Sequence, residues 1–326
     1  MRGSLPLFDE RPSFDREGLA GTLRELATDG IFVGTSSWKY EGWLGQVYSE
    51  ERYLVRGKFS KKRFEEQCLS EYAETFPVVC GDFSFYQFPT PEFWRKLFTT
   101  VPPHLRFALK VPEEVTRKTY PDQPRYGPRA GQPNETYLNY HVFDAGFLEP
   151  LGPWRDRLAV LILEFGTFSR KHYADAEAFY ADLDRFLLQL PKTWRFAVEI
   201  RNEQYLQSGY FDLLRRHGVA HVFNAWTRMP PLSRQVEIAE AYTADFTVVR
   251  ALLRVGRPYE TAVKMFTPYD RIQDPSLSTR AAMSSIIQRA RRKREPAYLF
   301  INNRLEGNAP LTIDAVARGS MSHDSE

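Results

Sequence analysis

Two short segments carry a basic and an acidic group at matching places. They are Leu105-Arg106-Phe107-Ala108-Leu109-Lys110-Val111 and Trp194-Arg195-Phe196-Ala197-Val198-Glu199-Ile200-Arg201, each behind a proline-bearing turn. Both alternate apolar and polar residues with the period of a half-buried strand, so Lys110 and Glu199 leave their strands at equivalent positions. An amine and a carboxylate held in this way suit acid and base catalysis, and Arg201 beside them could stabilise an oxyanion or a phosphate.

Such strands need partners, and the chain supplies them. Strand patterns run at Ile31 to Gly34, Val78 to Phe83, Arg106 to Val111, Ala159 to Phe165, Arg195 to Ile200, Ala220 to Asn224, Phe246 to Ala251 and Ala297 to Asn302. Helical patterns separate them: Phe64, Cys68, Tyr72 and Phe76 after Ser60, then Phe179 to Leu190, Gln204 to a stop at Gly218, and Ser278 to Pro296. Alternating strands and helices call for parallel pairing, and eight strands close a TIM-type barrel. The expected fold is therefore α/β, a closed parallel (β/α)8 barrel. An open doubly wound sheet is the alternative, but no Gly-x-Gly-x-x-Gly turn follows the first strand.

Barrel active sites lie at the carboxyl ends of the strands, where side chains of alternate strands share a layer. On that rule Lys110 and Glu199, on strands three and five, face one another across the mouth. Asp82, Glu164, Asn224, Arg250 and Asn302 or Asn303 mark the other strand exits, so three acids and three bases with Arg201 converge. Catalytic roles fall to Glu199, Lys110, Glu164 and Asp82, and ligand binding to Arg201, Arg250, Asn224, Asn302 and Asn303. A buried network that only neutralises itself is the competing reading. Trp38, Tyr40 and Tyr86 in the loops after strands one and two could stack on a ring or sugar face, whereas Trp43 and Phe88 read as packing. The long stretch 113–154 after strand three carries Arg117, Lys118, Tyr120, Arg125, Tyr126 and Arg129, and reads as a lid over the same end.

The rest of the chain bounds these readings. Its 326 residues hold 43% hydrophobic and 26% charged residues, a composition able to bury a sizeable core. A net charge of +3 makes no strong electrostatic case for nucleic acid or an anionic membrane. Cys68 and Cys80 lack metal-type spacing, and no leader or long apolar run is visible, so a cytoplasmic protein with no membrane partner is expected. Residues 1–30 read as an N-terminal arm with a small helix from Arg16 to Ala27, residues 31–318 as one barrel domain, and 319–326 as a tail. Ser4-Leu5-Pro6-Leu7-Phe8 faintly resembles the peptides that dock on DNA sliding clamps, without their leading Gln.

Taken together, Gly34-Thr35-Ser36-Ser37-Trp38, Ser84-Phe85-Tyr86, Phe107-Ala108-Leu109-Lys110-Val111-Pro112, Ala197-Val198-Glu199-Ile200-Arg201, Arg216-His217-Gly218-Val219-Ala220, Thr243-Ala244-Asp245-Phe246 and Asn302-Asn303 with Glu306-Gly307 resemble the YecE-like family, domain of unknown function 72. The resemblance implies a TIM-type barrel and no established reaction. The chain departs from the family pattern at Cys80 and Asp82, at Glu164-Phe165-Gly166-Thr167, and at Arg304 after the Asn pair.

The chemistry that fits is hydrolase- or lyase-type acid and base catalysis on a phosphorylated or sugar-like small molecule. A glycosidase would need two flanking carboxylates, which Glu164 and Glu199 could supply, but strand seven offers Arg250 instead. No organic cofactor is expected. Histidines are missing from strand exits, so a metal centre is not expected either, beyond a single divalent cation on Asp82 and Glu164. The alternative is a nucleic-acid-binding barrel using the lid and the run from Arg289 to Arg294, although that run ends a helix, where cations suit the dipole.

Overall fold

The computed structural model describes residues 14–321, and the clamp-like peptide at Ser4 to Phe8 lies outside them. All eight strand patterns form strands: β1 (Ile31–Thr35), β2 (Val78–Gly81), β3 (Arg106–Lys110), β4 (Leu158–Glu164), β5 (Phe196–Glu199), β6 (Ala220–Ala225), β7 (Thr247–Ala251) and β8 (Ala297–Ile301). They close into one barrel, each parallel to its neighbours. A two-stranded hairpin of Leu54–Val55 and Lys58–Phe59 stands apart from it.

The period-two alternation sorts side chains into two cores. Val78, Cys80, Ala108, Val160, Ile162, Ala197, Ala220, Val222, Val248, Tyr298 and Phe300 form the filling of the barrel. Val79, Phe107, Leu109, Leu161, Leu163, Val198 and Val249 face the other way, into the larger core under the helices. Extending the inward row past each strand end reaches Asp82, Lys110, Glu164, Glu199, Arg201, Asn224, Arg250 and Asn302. Apolar residues inside and polar ones at the exit put the charged groups on an apolar floor.

Helices α1 (Arg16–Thr28), α2 (Lys61–Thr75), α3 (Pro91–Thr100), α4 (Ala176–Leu187), α5 (Ser208–His217), α6 (Leu277–Lys293) and α7 (Ala309–Met321) clothe the outside. Local chemistry sets their ends. Ser60 accepts from the Arg63 amide at the start of α2, and Gly218 ends α5 in the left-handed region at φ 66°. Helix α1 is no loose arm: Leu19, Leu23 and Leu26 are buried in the main core, and Arg16 pairs with Glu71 of α2 at 3.2 Å. The α5 pattern read from Gln204 begins as a separate turn at Glu203–Tyr205, with the helix proper starting at Ser208.

Closure of the barrel is thinnest between β1 and β2, which share one register pair, Thr35 with Val79. Tyr72 of α2 bridges that seam, its hydroxyl accepting from the Thr35 amide at 3.0 Å and donating to the Val78 carbonyl at 3.0 Å. Gly34 makes the approach feasible, since a Cβ there would lie 1.9 Å from the Val78 oxygen.

The stretch between β3 and β4 divides in two. Its first half is a set of short turns that sends Arg117 and Arg125 to the barrel mouth. Its second half, Tyr140–Phe143 and Asp144–Leu148, buries Phe143, Phe147 and Leu148 in the main core in the place of a third barrel helix. Among the described residues, no helix is long and apolar enough to cross a membrane.

Candidate functional site

The mouth holds a cavity of about 330 Å3 at the carboxyl end of the strands. Lys110, Arg117, Arg125, Arg201, Arg250 and Arg304 line it against two carboxylates, Asp82 and Glu164, with Tyr40, Tyr86, Trp226 and Tyr259 as ring walls. No histidine lines it among the described residues.

At its floor Glu164 is the shared acceptor. Its Oε2 lies 3.1 Å from Lys110 Nζ, 3.1 Å from an Arg201 nitrogen and 2.7 Å from Arg250 Nη1. Glu199 is fully buried one strand over, in register with Glu164, and holds Arg250 through Oε2 and Arg201 through Oε1, the latter at 3.3 Å. Rings carry two of the cations: Lys110 Nζ sits 3.6 Å from the Phe85 centroid, and the Arg201 guanidinium 3.8 Å from that of Trp226. Burial works to raise the Glu164 pKa, but Arg201, Lys110 and Arg250 override it and hold the carboxyl well below its usual range. For Lys110 burial pushes the pKa down; Glu164 opposes this, and Arg250 and Arg201 add to it.

The sequence sets Lys110 facing Glu199 across the mouth; the ion pair that Lys110 makes is with Glu164 on the adjacent strand. The layer rule holds for strands five and seven, where Glu199 meets Arg250. The registers relate strands three and five in the same way: Lys110 lies opposite Ile162 and so level with Ala197, two residues before Glu199, just as Glu199 lies level with Val248, two residues before Arg250. From its place opposite Ile162 a long amine reaches Glu164, two residues further along the same inward row.

The other expected residues divide. Asp82, Tyr40, Tyr86, Arg201, Arg250 and Asn302 line the mouth. Asn224 is buried beneath it and donates to the Ile200 carbonyl at 2.9 Å, while Gln235 ties its backbone. Asn303 points away from the mouth: its Oδ1 accepts from Trp43 Nε1 at 3.2 Å and from the Ala309 amide at the start of α7 at 2.8 Å. Trp38 lines a neighbouring groove with Phe83, Phe93 and Leu97, which shares only Ser37 and Asp82 with the mouth. Trp43 is fully buried and Phe88 packs against the core.

Two contributors escaped the sequence reading as site residues. Phe85, within the aromatic loop after β2, backs Lys110, and Trp226, two residues past Asn224 at the β6 exit, backs Arg201. Their signal was an aromatic in the loop that leaves a strand end, four residues past β2 for Phe85 and next to β6 for Trp226. Arg304 also reaches the cavity, its guanidinium 4.6 Å from the Tyr259 ring centroid. Arg250 Nε and Arg304 Nε are buried donors without a partner among the described residues, so the site has unused capacity for an acceptor.

A cation on Asp82 and Glu164 would meet three positive groups already seated on Glu164, which opposes that arrangement. Among the described residues no group of three or more His, Cys, Asp or Glu is placed to hold a metal. The basic run ending α6 is engaged locally: Arg289 pairs with Glu295 at 2.8 Å and stacks 3.7 Å from Tyr242, and Arg291 reaches Asp29 at 3.0 Å. It precedes the start of β8, at the barrel end opposite the mouth.

Fold and site together define a TIM-type barrel protein with a cation-rich pocket at the carboxyl end of its strands. The chain belongs to the DUF72 family, described as a protein of unknown function, whose pattern it matches over residues 32–323. It is similar to a DUF72 family protein of Thermotoga maritima, at 21% identity and a TM-score of 0.58, over 90% of this chain and 98% of that one. A DUF72 family protein of Enterococcus faecalis aligns at 17% identity and a TM-score of 0.58, over 89% and 95%. A psychrophilic glycoside hydrolase family 10 endo-beta-1,4-xylanase aligns over 86% and 89% at 9% identity and a TM-score of 0.45, which carries no argument about chemistry. No curated protein matches the chain.

Proposed function

We propose that the protein is an enzyme that takes a small anionic ligand at the mouth of its barrel and moves protons with the Lys110–Glu164 pair. The supporting observation is the charge of the cavity, six cationic side chains against two carboxylates. Walls of low dielectric concentrate that field, so a phosphate- or carboxylate-bearing molecule is drawn in and a neutral one is not. Tyr40, Tyr86 and Trp226 offer ring faces to a sugar-like body, which makes a phosphorylated small molecule the best fit to both features.

In this reading Glu164, held ionised, accepts a proton, and Lys110, whose proton is loosened by burial, donates one. Arg201 and Arg250 stabilise the negative charge that develops on the ligand. Hydrolytic and lyase-type reactions both use these parts. A glycosidase would require a protonated carboxyl beside the bond, a role for which the three cations on Glu164 are unsuited. Nucleic acid is disfavoured, because the mouth and the basic end of α6 lie at opposite ends of the barrel and form no continuous track.

The test is a thermal-shift and calorimetric panel at low ionic strength, with inorganic phosphate, sugar phosphates and the matching neutral sugars. Stabilisation by the phosphates alone, lost in Arg250→Met, is the expected result. Equal response to the neutral sugars, or no response to any anion, would contradict the proposal.

A further inference from the structure

The floor of the mouth holds more positive than negative groups. Lys110, Arg201 and Arg250 surround Glu164 and Glu199, and the contacts between them leave no third carboxylate in the cluster. With every group ionised, one positive charge is left over in a region where Lys110 is 7%, Arg250 5% and Glu199 0% exposed. Guanidiniums keep their protons at any working pH, so the lysine is the member that can give one up and balance the set. Its amine is also placed for use. It lines the cavity and rests against the flat face of Phe85, with the Glu164 carboxylate 3.1 Å away to orient it.

Arg117, Arg125 and Arg304 stand around the rim and can hold the anionic group of a ligand, so Lys110 on the floor adds charge to the pocket and also meets the part of the ligand beyond that group. On the reading of the mouth as an anion site, we infer that Lys110 is a covalent nucleophile that captures an anionic carbonyl compound as an iminium. The ligand class is a small aldehyde or ketone carrying a phosphate or carboxylate.

The step balances without any further reactant. The Lys110 ammonium releases a proton to bulk water, which balances the cluster, and the free amine pair forms a bond to the carbonyl carbon as the C=O π pair moves to oxygen. A second proton passes from nitrogen to that oxygen, giving a carbinolamine. A proton taken up from bulk water reaches the hydroxyl, which leaves as water while nitrogen forms the C=N bond. The iminium carries the single positive charge that the ammonium had, and the anionic group of the ligand, held by the rim arginines, offsets the excess on the floor.

The intact chain is treated with sodium cyanoborohydride and, in turn, dihydroxyacetone phosphate, pyruvate and uncharged dihydroxyacetone, with adducts located by peptide mass mapping. Binding of inorganic phosphate is titrated in parallel. The two anionic carbonyls should label Lys110 at least about tenfold faster than the exposed Lys62 and Lys171, as expected of a focusing pocket. The uncharged ketone should not discriminate among them, and excess phosphate should suppress labelling at Lys110 alone. Lys110→Arg, checked for an unchanged circular dichroism spectrum, should lose that label while keeping the charge. Labelling of Lys110 no faster than that of Lys62 and Lys171 overturns the inference. If phosphate still binds in that case, the anion site stands without the covalent step; if phosphate does not bind, both readings fall.

Discussion

Two buried carboxylate networks lie near the same end of this barrel, and they are built to opposite specifications. Around Glu306 everything is matched. One guanidinium, Arg280, meets the carboxylate through Nε at 3.0 Å and Nη2 at 2.6 Å, and the Ser276 amide at 2.6 Å and Thr312 hydroxyl at 2.8 Å fill its remaining positions. Around Glu164 and Glu199 three cations meet two acids, guanidinium donors are left over, and a cavity opens above. A balanced and saturated network ties α6, the β8 exit and α7 together; an unbalanced one beside a cavity leaves capacity for a ligand.

The contrast breaks first if Glu306 proves dispensable. Glu306→Gln should remove roughly 3–5 kcal/mol of stability in chemical denaturation, because Arg280 loses its buried counter-charge, while phosphate binding at low temperature stays as it was. A loss below about 1 kcal/mol would place the Glu306 network among surface-like pairs.

The mouth should reveal itself next through pH. The folded-state pKa of Lys110 is depressed below the ordinary 10.5, so between that value and 10.5 the unfolded chain binds more protons than the folded one. Stability from this group therefore rises with pH across the window, and Lys110→Met should flatten the rise. Glu164 acts in the opposite region. Its depressed pKa supplies stability that is present above the usual 4.5 and lost as pH falls through the folded value. Denaturant midpoints across pH 3 to 11, buffer by buffer, check both.

Smaller effects belong to the rim. Replacing the exposed Arg125 by Gln should weaken phosphate binding by about twofold, roughly the 0.5 kcal/mol expected of an exposed charge, and should shrink the salt dependence of that binding. Tyr86 is 52% exposed, so Tyr86→Ala should change phosphate affinity by about twofold at most while lowering affinity for a ligand with a sugar body.

Much of the barrel was legible because a strand in a closed sheet must alternate between two cores, and the chain writes that alternation without interruption from Ile31 to Ile301. The same alternation brought Asp82, Glu164, Glu199, Arg250 and Asn302 to one end. It also separates Asn302 from Asn303: adjacent residues face opposite ways, so one reaches the mouth and the other caps α7. What alternation cannot express is which of two neighbouring carboxylates a long side chain will reach. It sets Lys110 in the same inward row system as Glu164 and Glu199, and the amine turns to Glu164 on the adjacent strand. Nor does a pattern of strands foretell which loop ring will slide beneath a cation, as Phe85 and Trp226 do.

The central claim, that the unbalanced cluster is a ligand site and the balanced one is architecture, is tested most directly by titrating inorganic phosphate calorimetrically into Lys110→Met and Glu306→Gln, with Tm recorded for each. The account predicts that Lys110→Met keeps its Tm and binds phosphate about tenfold more weakly, the loss of one buried charge contact, whereas Glu306→Gln melts lower and binds phosphate as the parent does. The reverse pattern, a fall in Tm for Lys110→Met with phosphate affinity intact, would contradict it.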